Sequence, residues 1–152
     1  MKQRYKLAPR VRIEVVRDEG HRFYRKPVRG PGDVFGLLSE EASLWDRERF
    51  LCLLLDGRHR TIGLDEVSVG TATAALVHPR EVFKAVILAN ACGFILIHNH
   101  PSGDPSPSKE DHDITARLKQ AADLIGVPLL DHIMLGETGY FSFSEHEPDW
   151  GR

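Results

Sequence analysis

Disulfide, membrane and repeat chemistry are all missing from this sequence. Two cysteines occur in 152 residues, Cys52 and Cys92. Both lie in apolar text, FLCLLL and ANACGFILI, and read as buried thiols in a reducing compartment rather than as a disulfide pair. No apolar run approaches the ~20 residues of a membrane-spanning helix. The opening MKQRYKLAPR has no apolar stretch of the kind a secretory leader carries. The expectation is a cytoplasmic protein with no membrane partner. Internal repeats, low-complexity segments and an interdomain linker are lacking as well.

A large charge of one sign is also lacking, since the net charge is −2. That small figure hides an asymmetry. Residues 1–30 hold ten Lys or Arg against three acids, giving +7, and the remainder holds ten against nineteen, giving −9. A basic arm can meet nucleic acid or an acidic partner. The favoured reading is plainer: a solvated edge hairpin whose charges discourage pairing with other chains.

What is present fits one globular domain with a core of its own, at 41% apolar and 28% charged residues. Residues 1–27 are expected to form a basic tail and hairpin, with Val11, Ile13 and Val15 on one face of a strand and Arg22–Arg25 returning. Residues 28–147 make the main domain. Pro31-Gly32-Asp33 opens a short helix, and Leu44 and Trp45 are expected to pack inward after it. Phe50–Leu55 reads as a buried strand, Asp56–Arg60 as a hairpin loop and Thr61–Gly70 as the returning strand. Pro79 opens a helix that ends at Cys92-Gly93. A second helix follows Ser108, with Ile114, Leu118, Ala121, Ala122 and Ile125 on one stripe and Gly126 as its stop. Leu129–Leu135 and Tyr140–Phe143 read as the last strands, and the final HEPDWGR as a loose end. The fold class is α/β, a mixed β-sheet flanked by helices.

The stretch FILIHNHPSGDPSPSKED carries the chemistry. Phe94-Ile95-Leu96-Ile97 is long enough for a buried strand and too short for a helix. Strand side chains alternate, so His98 and His100 point one way and Asn99 the other. Three prolines restrict the loop, Ser108 stands at a helix N-cap, and Asp111 lies one turn in. Two histidines, one aspartate and a water would make an open tetrahedral zinc site of the catalytic type. The plainer alternative makes Ser108-x-x-Asp111 a capping box only.

His98-x-His100-x7-Ser108-x2-Asp111 has the spacing of the JAMM motif of JAB/MPN metallopeptidase-like domains. With LVHPREVF, LLDHIMLG and GYFSFSE in order around it, the chain resembles the bacterial RadC branch from about Gly30 onward. The resemblance implies a JAB/MPN, cytidine-deaminase-like architecture, Zn²⁺ as cofactor, and a short stand-alone member without the usual helix-hairpin-helix region. It also implies that a glutamate from an earlier strand takes the water's proton, and Glu48 is the best match. Glu66 and Glu81 are its rivals, the first read as a surface charge and the second as a helix-dipole residue. Ser108 is the candidate to donate toward an oxyanion. Of the other histidines, His132 reads as semi-buried and either a satisfied core residue or a partner behind the metal ligands. His21, His59, His78, His112 and His146 read as bystanders. The function expected is hydrolysis of amide bonds in a peptide or protein substrate. The alternatives are nucleic-acid processing, for which one metal is less suited than two, and a non-catalytic binding module.

Overall fold

The computed structural model describes residues 11–18, 26–70 and 77–151. Its strands are β1 (Arg49–Leu55), β2 (Thr61–Val69), β3 (Gly93–Asn99), β4 (Leu129–Leu135) and β5 (Tyr140–Ser142). The helices are α1 (Pro31–Ala42), α2 (Pro79–Leu88), α3 (Lys109–Ile125) and α4 (Phe143–His146). A strand that is apolar at every position has to be covered on both faces. β1 is so from Phe50 to Leu55 and β3 from Phe94 to Ile97, and the two lie side by side, antiparallel, inside a sheet of order β2-β1-β3-β4-β5. Among the described residues only the β3–β4 pair is parallel, so the sheet is mixed.

Period-two alternation divides the core in two. Phe50, Cys52 and Leu54 of β1 and Phe94 and Leu96 of β3 face α2 and α3. Leu51, Leu53 and Leu55, with Ile95 and Ile97, face α1. The connections explain why α2 and α3 share a side. The β2-α2-β3 and β3-α3-β4 crossovers both step the same way across the sheet, and right-handed crossovers stepping one way pass over one face. Each large side chain buried in these layers contributes about 1.5–3 kcal/mol.

Local chemistry sets the ends. The Asp56 carboxylate accepts from the backbone N–H groups of Arg58 and Arg60 and closes the β1–β2 hairpin. Gly126 ends α3 at φ +82°, a left-handed position that glycine occupies without steric cost.

Several expectations need correction. Residues 11–18 carry no strand and are exposed, and Arg22–Arg25 lie outside the described residues. Leu44 is exposed; only Trp45 packs toward the α1 core, with the Arg49 guanidinium 5.2 Å from its ring. α2 stops at Leu88, and Asn90 turns the chain at φ +52°, which leaves Cys92 exposed; Cys52 alone is buried. The C-terminal end is pinned down. Trp150 Nε1 donates to the Leu130 carbonyl at 2.8 Å, and Lys119 Nζ donates to the Trp150 carbonyl at 2.6 Å.

Candidate metal centre

Strand register delivers the first half of the site. Phe50 stands opposite His98, and Glu48, two residues earlier, is in the same parity, so it projects from the face that carries His98. His98 Nε2 lies 3.6 Å from Glu48 Oε2. The second half comes from α3. Ser108 caps that helix, and the reciprocal capping box sets the Asp111 side chain back over the strand end. Asp111 Oδ1 is 3.2 Å from His98 Nδ1, and Asp111 Oδ2 is 3.3 Å from His100 Nε2. The ligand atoms of Glu48, His98 and His100 all lie within 4.8 Å of one another.

The residues present fit a metal ion. His98 is 3% exposed, yet neither ring nitrogen has a hydrogen-bond partner, although carboxylate oxygens stand close to both. A buried polar atom without a partner is costly, and a cation shared with those oxygens would relieve it. His100 is already arranged as a ligand. Its Nδ1 faces the Asp104 carbonyl at 2.8 Å, so Nδ1 carries the proton and Nε2 offers its lone pair.

Burial by itself would raise the Asp111 carboxyl. The neighbouring His100 and His98 imidazoles and the Ser108 N–H outweigh that and hold it well below the usual carboxylate range. The Asp111 carboxylate, as acceptor for the protonated ring, raises His100 against its partial burial. The centre is therefore electrostatically an acid–imidazole cluster with one carboxylate, Glu48, at its solvent edge.

Ser108 Oγ donates to Asp111 Oδ2 at 2.9 Å and accepts from Asp111 N at 3.1 Å. To serve an oxyanion, its one proton would have to leave Asp111. Asn99, on the opposite face, ties down the backbone at the head of β1. Its Oδ1 accepts from Arg49 N at 2.7 Å, and its Nδ2 donates to the Arg47 carbonyl at 3.1 Å. Neither rival glutamate is brought to the histidines. Glu66 pairs with Arg49 and stands opposite Leu51, on the α1 face, and Glu81 is engaged by Lys84 and Arg80 in the first turn of α2.

His132 is fully buried rather than semi-buried. Burial first, then charge on His98, pushes it down to about 3, so it is neutral. Its Nδ1 lies 2.6 Å from Thr115 Oγ1, which lies 2.5 Å from the Asp111 carbonyl oxygen. Thr115 was not singled out from the sequence. Its one signal is the i+4 spacing from Asp111, which puts both residues on one helix face. Among the bystanders, His59 is in the β1–β2 turn, His78 precedes α2 without a side-chain cap, and His112 packs on Phe143. His146 Nδ1 lies 2.8 Å from the Ser142 carbonyl, and His21 is outside the described residues.

A family model described as the RadC-like JAB domain matches residues 28–148. Curated relatives carry the name "UPF0758 protein". One from Alkaliphilus oremlandii is 48% identical over 120 residues, covering 79% of this chain and 52% of the relative. Another, from Syntrophotalea carbinolica, is 44% identical over 140 residues, covering 88% and 61%. A third, from Rubrobacter xylanophilus, is 45% identical over 135 residues, covering 89% and 57%. The chain thus spans between half and about three fifths of the length of these relatives.

Proposed function

This chain belongs to the RadC-like JAB domain family, and from that premise we propose that it is a zinc-dependent hydrolase of amide bonds, peptide or isopeptide. The observation that carries the reading is His98, buried with both nitrogens unpaired between two carboxylates. His98, His100 and Asp111 would hold the ion. A bound zinc would lower the pKa of a coordinated water from about 15.7 toward ~7 and polarise the substrate carbonyl. Glu48 borders solvent beside the imidazoles, with its side chain 35% exposed. From that place it takes the proton of the attacking water and returns it to the leaving nitrogen. The Asp104 carbonyl keeps His100 in the tautomer that ligation needs. Two free cysteines, Cys52 and Cys92, accord with a reducing, cytoplasmic setting.

Metal content and turnover test the reading separately. Protein purified without chelator should carry about one zinc per chain, as a three-ligand open site takes. Combined His98→Ala and His100→Ala should abolish that, and full occupancy in the double variant would overturn the ligand assignment. Glu48→Gln should keep its zinc and lose roughly 10²- to 10⁴-fold in hydrolysis across a panel of peptide and isopeptide conjugates. Glu66→Gln and Glu81→Gln should retain most activity.

A further inference from the structure

Thr115 lies one turn beyond Asp111 on α3 and is buried, and its hydroxyl meets two groups at once. Oγ1 is 2.5 Å from the Asp111 carbonyl oxygen and 2.6 Å from His132 Nδ1. A hydroxyl has one proton and a carbonyl has none to give, so Thr115 donates to Asp111. The contact with His132 must then be donated by Nδ1–H. That fixes His132 as the Nδ1–H tautomer and leaves Nε2 as a bare lone pair, the atom found without a partner.

The ring that makes this donation is held on several sides. It lies nearly parallel to Phe143 at 5.1 Å between centroids and to His98 at 6.5 Å, and edge-on to Phe50 at 5.5 Å. Its backbone is fixed on β4 opposite Leu96. A helical threonine that back-bonds to residue i−4 is common and by itself only local. Here the same hydroxyl is tied onward to a different strand.

We propose that His132 and Thr115 are positioning residues that tie the peptide group of Asp111 to β4, and so set its carboxylate against His98 and His100. The capping box holds the first turn of α3 from Ser108 on one side, and the His132–Thr115 relay holds it from β4 on the other. The inference rests on the metal-ligand reading above. Its chemistry is that of an outer partner, which touches no ion and orients a residue that does.

Zinc affinity, measured by competition with a chromophoric chelator, tests it beside urea stability. Thr115→Val is isosteric and removes the relay, and should weaken zinc binding about 10- to 100-fold. Thr115→Ser keeps the hydroxyl and loses a methyl from the core. It should bind zinc within about 3-fold of the parent despite the core methyl it loses, and a role that was only packing would not spare it. His132→Phe keeps the ring and removes the donor, and should match Thr115→Val. The double variant Thr115→Val/His132→Phe should bind no more weakly than the weaker single, because one relay can be broken only once. Parent-like affinity in Thr115→Val, affinity in Thr115→Ser as low as in Thr115→Val, or additive losses would each overturn the relay while the metal reading stands. A parent that takes up no zinc would instead remove the metal reading, and the relay with it.

Discussion

His132 shows how burial alone changes what a single side chain can do. Its folded-state value of about 3 lies below the ordinary 6.5. Between those values the unfolded chain accepts a proton that the folded chain refuses. Stability should therefore fall as pH drops from about 6.5 toward 3, by up to about 1.4 kcal/mol per pH unit from this one group. Urea titrations of chelator-treated protein check this, and His132→Phe should remove that part of the slope. An unchanged slope in the variant would mean that the ring titrates like an exposed histidine. The sequence showed His132 as an apolar-flanked histidine in LLDHIML, and nothing in one strand reveals that its face lies beneath Phe143 and beside His98. His98, His100 and Asp111 were legible because strand parity and a helix cap are local rules. Thr115 was not, because its second partner comes from another element.

The loop from β3 to α3 behaves as part of the framework around the centre. His100 N donates to the Leu135 carbonyl at the end of β4, and Glu137 N, in the β4–β5 turn, donates to the Gly103 carbonyl of the loop. Gly136 has no room for a side chain. A Cβ there would meet the Gly103 carbonyl oxygen at 2.6 Å and Pro105 Cδ at 2.7 Å. Backbone and a proline ring cannot swing aside, so Gly136→Ala should cost about 1–3 kcal/mol in urea unfolding and displace the loop that runs from His100 to Ser108. A variant as stable as the parent would show this packing to be loose. Ser108→Ala removes the cap of α3 and should cost about 1 kcal/mol. Nothing in the sequence marks Gly136 beyond its place between two strand-like runs, since a close approach between two loops leaves no periodic trace. The same limit hid α4 and the docking of Trp150, whose partners lie 20 and 31 residues away along the chain.

For the whole molecule, the α/β class and the strand order along the chain followed from apolar run lengths and from Gly and Pro punctuation. The failure was at the amino-terminal side, where alternation of Val11, Ile13 and Val15 predicted a strand and residues 11–18 have none. Period-two alternation forms a strand only where an edge accepts it and the apolar face is covered; Val11 and Ile13 are exposed. Among the described residues, no helix is long and apolar enough to cross a membrane. The +7 of residues 1–30 remains the feature that speaks for nucleic acid. We expect weak or no DNA binding at physiological salt. Tight binding that weakens steeply as salt rises, and is lost when Arg10, Arg12, Arg17 and Arg22 become Ala, would assign the arm to nucleic acid.

Asn99 stands covalently between His98 and His100, and its amide grips the peptide groups on either side of Glu48. The spacing between the acid and the imidazoles is thus measured by one side chain across the β1–β3 seam. Closing that seam brings the acid and the two imidazoles to one end of the sheet together. A chain caught before that seam closes would hold Glu48 apart from His98 and His100.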